Sequence, residues 1–316
     1  MRPTSLLWAV LGFILACGGG AEPGPAALAP AVEVGGMKVM ALHRHEVMVN
    51  DHSFVVWEKS PKASHIKGVI VLVHGRTWSS LPDFDLQVPG EKLSLMDSLV
   101  AAGYSTFALD QRGYGETKRD QTGWLTPNKA SADLSEVLRW VRARTNRVPA
   151  LLGWSYGSMV SHLCVQRDAS VVSALILYGY PRAIDSQYQA GPSAVVAPPR
   201  KVTTAEAAAE DFIAGEVVSP AMVKAFVKQA LLSDPVRVDW RNKDQFSELN
   251  PRKLQVPTLP IHGALDPYAP RAAQQKIYDA LPHSRKRWVV LEGGDHAAHL
   301  EATSSRFVHE LVHFLQ

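Results

Sequence analysis

The sequence predicts an α/β fold, a mostly parallel central sheet flanked by helices, with a helical cap inserted late in the chain. Three observations predict it. From residue 68 onward, short apolar runs alternate with stretches of helical periodicity. The run Gly68-Val69-Ile70-Val71-Leu72-Val73 is continuously apolar, as in a strand covered on both faces. Between residues 182 and 252 the alternation stops, only helical signals remain, and the alternation then resumes to the end of the chain.

The elements follow in order. Residues 39–58 alternate in the manner of antiparallel strands, most clearly at Ser53-Phe54-Val55-Val56-Trp57. Residues 91–102 have helical spacing that stops at Gly103, and Tyr104 to Leu109 is a strand ending at Asp110. Residues 129–144 place Ala130, Leu134, Val137, Leu138 and Val141 on one helical face. A strand over 149–153, a helix over 156–167 and a strand over 171–177 come next. In the cap, a helix over 204–214 opens with Thr203 and Glu206 at capping-box spacing. A second cap helix follows Ser219-Pro220, a cap residue with proline in the first turn. Strands over 258–262 and 287–291 and helices over 269–281 and 301–314 complete the set.

Composition narrows the function. Thirty-three basic against thirty acidic residues leave a net charge of +3, too balanced for a nucleic-acid or strongly acidic partner. There are two cysteines, Cys17 and Cys164. Cys17 lies in the leader, so Cys164 is left without an intramolecular disulfide partner and reads as a small buried hydrophobe.

The leader has one arginine, Arg2, before an apolar stretch from Leu6 to Ala16. That stretch is shorter than the roughly 20 residues a bilayer span requires, and it has the length of a signal-peptide core. Its end, Ile14-Leu15-Ala16-Cys17, resembles the lipobox of bacterial lipoproteins. The resemblance implies cleavage before Cys17 and lipidation of its thiol. The alternative is an ordinary secretory signal cut near Ala21. The Gly-, Pro- and Ala-rich residues that follow suit a flexible tether. The expected organisation is therefore a signal peptide over 1–16 and a lipidated cysteine with tether over 17–36. The catalytic core takes 37–181 and 253–316, and the helical cap 182–252. Export across the inner membrane, and membrane contact through the lipid alone at the periplasm or cell surface, follow from the same reading.

Chemistry enters at Gly153-Trp154-Ser155-Tyr156-Gly157, a G-x-S-x-G pattern placed directly after a strand and before a helix. The glycines allow a sharp turn where side chains would collide. The turn lifts the Ser155 hydroxyl to the carboxyl edge of the sheet, where a helix N-terminus favours developing negative charge.

Four segments in order, namely His74-Gly75, Asp110-Gln111-Arg112-Gly113-Tyr114-Gly115, the Ser155 turn, and Gly293-Gly294-Asp295-His296, resemble the α/β-hydrolase superfamily on its esterase and lipase side. The similarity runs from about Gly68 to Gln316, interrupted by the cap. It implies a chain order of nucleophile, acid and base. His296, with Leu300-Glu301 after it, fits the base, and His299 is its rival. His309 and His313 sit at helical spacing and read as helix-face residues. Asp266, in Ile261-His262-Gly263-Ala264-Leu265-Asp266-Pro267, fits the acid, with Asp185 as the alternative site some relatives use. Asp295 reads as loop solvation and His262 as a strand end without chemistry.

A tetrahedral oxyanion needs two backbone N–H donors. Tyr156, after the nucleophile, supplies one, and the motif places the other at Arg76. The Arg76 side chain departs from the aromatic or small residue common there. A solvent-facing salt bridge is the preferred reading for it, and contact with a substrate carboxylate the alternative. Arg112 is expected to tie loops together, and the long loop from Thr77 to Pro89 to border the substrate pocket. The full G-x-G-x-x-G is missing, so no nucleotide or other cofactor is expected. No carboxylate–histidine cluster has metal-ligand spacing, so no metal is expected either.

The sequence thus predicts a serine hydrolase that cleaves a small-molecule carboxylic ester through an acyl-enzyme, using Ser155, His296 and Asp266. A peptidase, thioesterase or cofactor-free perhydrolase would use the same triad. A non-catalytic surface binding protein on the same fold is the alternative of a different class.

Overall fold

The computed structural model describes residues 32–34, 37–189, 191, 197–213 and 215–316. The expected signal peptide, Cys17 and nearly all of the tether lie outside the described residues. Among the described residues, no helix is long and apolar enough to cross a membrane.

Eight strands form the central sheet: β1 His43–Val49, β2 His52–Lys59, β3 Gly68–Val73, β4 Tyr104–Leu109, β5 Ala150–Trp154, β6 Ala174–Tyr178, β7 Thr258–Gly263 and β8 Val289–Leu291. Their order across the sheet is β1-β2-β4-β3-β5-β6-β7-β8. The six strands from β3 onward run parallel, and β1 and β2 are antiparallel to their neighbours. The β1–β2 link is Asn50-Asp51, both at positive φ (46° and 59°), the conformation that tight two-residue hairpins require. Edge strand β1 alternates exposed and covered residues toward its start, while β5 and β6 are buried throughout. That contrast is the difference between an edge strand and a central one.

Side chains on the two sheet faces feed two apolar layers. Val71, Val73, Leu151, Leu175 and Leu177 pack with α3 Pro127–Thr145, α4 Tyr156–Arg167 and Ile277 of α7 Arg271–Ala280. Ile70, Leu72, Leu152, Ile176 and Ile261 pack on the other side. Their partners are Phe84 of α1 Ser80–Phe84, α2 Leu95–Ala101, and Phe307 and Leu311 of α8 Ser304–Leu315. Cys164, on α4, is buried in the first layer, where desolvation pushes its thiol up to about 12.

Helix starts follow the side chain that caps them. α2 begins at Leu95 and not at residue 91, because Ser94 Oγ accepts the N–H of Asp97. α3 begins two residues before the expected start, with Thr126 capping and Pro127 in the first turn. It ends where Asn146 turns to φ 52°. The strand expected from residue 171 starts at Ala174, since Ala169–Val171 forms a 3₁₀ turn capped by Asp168.

Between β6 and β7 the chain leaves the sheet. This segment contains α5 Ala205–Ala209 and α6 Pro220–Ser233, and α6 is capped by Ser219 as expected. The cap of α5 is Thr204, which accepts the N–H of Ala207, while the Thr203 hydroxyl bonds the carbonyl of Asp234. The expected capping box is therefore absent: the cap lies one residue later, and Ala207 stands where the box needs an acidic or amide side chain. α5 also stops five residues short of 214. Asp211 turns to the indole N–H of Trp78, and the N–H of Ile213 goes to Asp295. Those residues are committed to long-range bonds and leave the helix.

Candidate active site

Ser155 stands between β5 and α4 at φ 53°, ψ −122°, a strained conformation for a residue with a side chain. Two close approaches hold it there. A Cβ on Gly153 would lie 2.3 Å from the carbonyl oxygen of Gly157. A Cβ on Gly157 would lie 2.3 Å from that of Val73. Only glycine lets the strand, the turn and the β3 end approach so closely. The Ser155 N–H donates to the carbonyl of Tyr178, tying the turn to β6.

The structure brings His296 and Asp266 together. The Nδ1–H of His296 donates to Asp266 Oδ2 at 2.8 Å, which leaves Nε2 as the acceptor. Asp266 Oδ1 accepts the N–H groups of Tyr268 (2.8 Å) and Ala269 (3.2 Å), so the carboxylate is fixed from both ends. His296 and Ser155 line one cavity of about 300 Å³. Asp185 lies elsewhere, largely exposed and 3.6 Å from Lys276.

His299 is occupied. Its Nε2–H donates to the carbonyl of Asp83 at 2.6 Å, and its Nδ1 lies 3.0 Å from the Tyr178 hydroxyl. Burial lowers its pKa to about 4, so the ring is neutral. His262 is buried at the end of β7, with Nδ1 against its neighbour's carbonyl, and takes no part in the cavity. His309 and His313 are exposed on α8.

Asp295 departs from the reading as loop solvation. It is fully buried, its carboxylate accepts the N–H groups of Ile213 (2.8 Å) and Ala297 (2.9 Å), and its own N–H donates to Glu301 (2.8 Å). Burial and the adjacent Asp295 raise the Glu301 carboxyl to about 9, so Glu301 is protonated at neutral pH.

The two expected oxyanion donors flank the same cavity. Tyr156 is the first residue of α4, where backbone N–H groups have no partner within the helix. Arg76 follows β3, and its carbonyl accepts the Tyr114 hydroxyl, which in turn accepts the indole N–H of Trp240 at 2.7 Å. His74, buried at the strand end, accepts the N–H of Gln111. Burial depresses its pKa to about 3, and it serves as a neutral brace.

Among the described residues, the Arg76 side chain makes neither the expected surface salt bridge nor any other ion pair. Its guanidinium lies over the Tyr156 ring, 5.3 Å from the centroid, and its Nε is shielded from water without a hydrogen-bond partner. The 77–89 loop does border the cavity, through Thr77, Trp78 and Asp83. Burial, with a contribution from Asp211, pushes the Asp83 carboxyl well up, while Asp211 itself is raised to about 6. The Asp110–Gly115 loop is structural. Asp110 accepts N–H groups of Trp57, Ser80 and Glu116, and Arg112 forms a bidentate pair with Asp133.

Sequence reasoning missed three supports of His296. Trp154 Nε1–H donates to the carbonyl of His296 at 2.8 Å, and the Tyr178 hydroxyl lies 3.0 Å from the same oxygen. Gly179, at φ 53°, packs so that a Cβ would stand 3.1 Å from the His296 ring. Gly179 directly follows the β6 strand, which is the signal that could have marked it.

The parallel sheet with its two antiparallel leading strands, and a serine on the turn after β5, make the chain an α/β-hydrolase. It belongs to the Hydrolase_4 family, described as serine aminopeptidase, S33, whose model matches residues 64–303. It is 26% identical over 266 residues to pimeloyl-[acyl-carrier protein] methyl ester esterase of Aliivibrio salmonicida (strain LFI1238), covering 78% of this chain and 92% of that one. Among solved structures it resembles the thioesterase domain from the curacin biosynthetic pathway. The TM-score is 0.61 at 17% identity, over 86% of this chain and 99% of that one. It also resembles a thermophilic esterase from Thermogutta terrifontis, with a TM-score of 0.59 at 18% identity, over 86% and 98% respectively. At these identities the solved structures speak for the fold.

Proposed function

We propose that the chain is a serine hydrolase that cleaves a carboxylic ester of a small molecule through an acyl-enzyme. One observation carries the reading. A strained serine at a strand–helix turn shares a cavity with a histidine whose far nitrogen is bonded to a buried carboxylate.

In this mechanism His296 Nε2 takes the hydroxyl proton as Ser155 Oγ attacks the carbonyl carbon. Asp266 holds the ring in the required tautomer and stabilises the imidazolium that forms. The oxyanion is received by the N–H groups of Arg76 and Tyr156. His296 then protonates the departing alcohol, and water attacks the acyl-enzyme by the same route in reverse. The residues of the inserted segment that line the cavity, Ala207, Glu210, Asp211 and Arg237, would act as a helical cap over 182–252.

Labelling by a fluorophosphonate and hydrolysis of p-nitrophenyl esters test the proposal, both expected in the wild type and lost in Ser155→Ala. Ester cleavage that persists in that variant overturns it. The aminopeptidase description of the family favours an amide-cleaving second reading, which aminoacyl-anilide substrates would reveal. The leader supports export with lipidation at Cys17. Incorporation of labelled palmitate by the full chain, lost in Cys17→Ser, is the expected result.

A further inference from the structure

The cavity beside Ser155 has an uneven distribution of charge. Arg76 and Arg237 both line it. Among the described residues neither guanidinium closes an ion pair with a carboxylate, whereas the neighbouring Arg112 and Arg119 pair with Asp133 and Asp239. Arg76 Nε is moreover shielded from water with no hydrogen-bond partner. Lys243, outside the cavity lining, feels both arginines. Burial lowers its pKa, and the charges of Arg76 and Arg237 lower it further. The like charges of Arg76, Arg237 and Lys243 repel one another, and an unpartnered buried donor costs free energy in the empty enzyme.

Among the described residues, no carboxyl group of the cavity closes an ion pair with either arginine. Asp83 is fully buried and held toward its neutral form, its Oδ2 accepting the Gly75 N–H. Asp211 is turned to the Trp78 indole and feels the charge of Arg237 without closing an ion pair with it, and Glu210 is exposed. An arginine fork that lacks a protein partner matches a planar carboxylate.

We infer that Arg76 and Arg237 form an anion subsite, and that the preferred substrate is an ester carrying a carboxylate besides the bond to be cut. This rests on the ester-hydrolase reading. Because the Arg76 guanidinium lies over the ring of Tyr156, the subsite adjoins the proposed oxyanion donors, and the second carboxylate must be close to the reacting carbonyl.

Four esters test it in matched pairs. Mono-p-nitrophenyl glutarate against p-nitrophenyl pentanoate places the charge on the acyl side. 4-Acetoxybenzoate against phenyl acetate places it on the alcohol side. In at least one pair the charged ester is expected to have kcat/KM about tenfold higher, the scale of a hydrogen bond to a charged group. Arg237→Gln, checked for folding by circular dichroism, is expected to remove most of that ratio. Active enzyme that treats both pairs equally overturns the inference. An equal loss on charged and neutral esters in Arg237→Gln also overturns it, since the cations would then serve the oxyanion alone. Calorimetric titration of Ser155→Ala with monomethyl glutarate or 4-acetoxybenzoate needs no catalysis. Binding weakened by added Arg237→Gln supports the subsite, and failure of both monomethyl glutarate and 4-acetoxybenzoate to bind overturns it. Failure of the ester-hydrolase reading is distinct, appearing as no turnover of any of the four esters and no fluorophosphonate adduct.

Discussion

The indole N–H of Trp154 donates a 2.8 Å hydrogen bond to the main-chain oxygen of His296. The residue immediately before the proposed nucleophile thereby holds the backbone of the proposed base, joining the end of β5 to a loop 142 positions later. A second donor, the Tyr178 hydroxyl, stands 3.0 Å from the same oxygen.

Trp154→Phe keeps the ring and deletes the donor. The expected cost in stability is about 1 kcal/mol, the scale of one hydrogen bond. The larger effect is expected on kcat with KM little changed, since the bond orients the imidazole and not the substrate. Urea unfolding and steady-state kinetics on one ester separate the two. Unchanged kcat would show that the His296 loop needs no such tether.

Asp266→Asn removes the charge and leaves an amide against Nδ1. The ring is then free to take the wrong tautomer, and kcat is expected to fall roughly a thousandfold or more. The fold should hold, because the amide oxygen can still accept from Tyr268 and Ala269. Ester turnover together with a thermal melt checks both halves of the expectation.

Gly157→Ala inserts a methyl 2.3 Å from the Val73 carbonyl and 2.4 Å from that of His74, both rigid backbone. A destabilisation of about 3 kcal/mol or more is expected, with loss of fluorophosphonate labelling because the turn itself must shift. Normal labelling and an unchanged unfolding midpoint would contradict the crowding.

Glu301 gives the fold a pH dependence with a definite sign. Its carboxyl titrates near 4.5 in an unfolded chain and near 9 when folded, through burial and the neighbouring Asp295. Between those values the native state holds one more proton than the unfolded state, so stability falls as pH rises through the window. Glu301→Gln mimics the protonated group and removes this contribution. Its urea midpoint is expected to gain on the wild type steadily from pH 5 to pH 8. Parallel curves would place the proton elsewhere.

Much of the framework was readable along the chain because burial writes itself into local pattern. The runs that became β3, β4 and α4 have the predicted limits, since apolar continuity or helical period ends where a glycine or a polar turn begins. Ser155 was legible because its turn demands two glycines at fixed spacing, and His296 and Asp266 because each follows a strand. Bonds across large sequence separations left no such trace. Nothing local shows that Asp295 receives the N–H of Ile213, or that Thr203 bonds Asp234 and yields the cap to Thr204. Arg76 went astray for the same reason. Its neighbour is the ring of Tyr156, eighty positions later, and among the described residues it closes no ion pair.

Cys164 has a practical consequence. It is 2% exposed, with its thiol pushed up to about 12, so the folded body presents no thiolate to oxidants or alkylating reagents. Maturation of that body asks nothing of the redox state around it. The same burial makes the sulfur a built-in reporter, since a thiol-reactive dye reaches it only when α4 opens, and the labelling rate of a chain lacking Cys17 would read that opening directly.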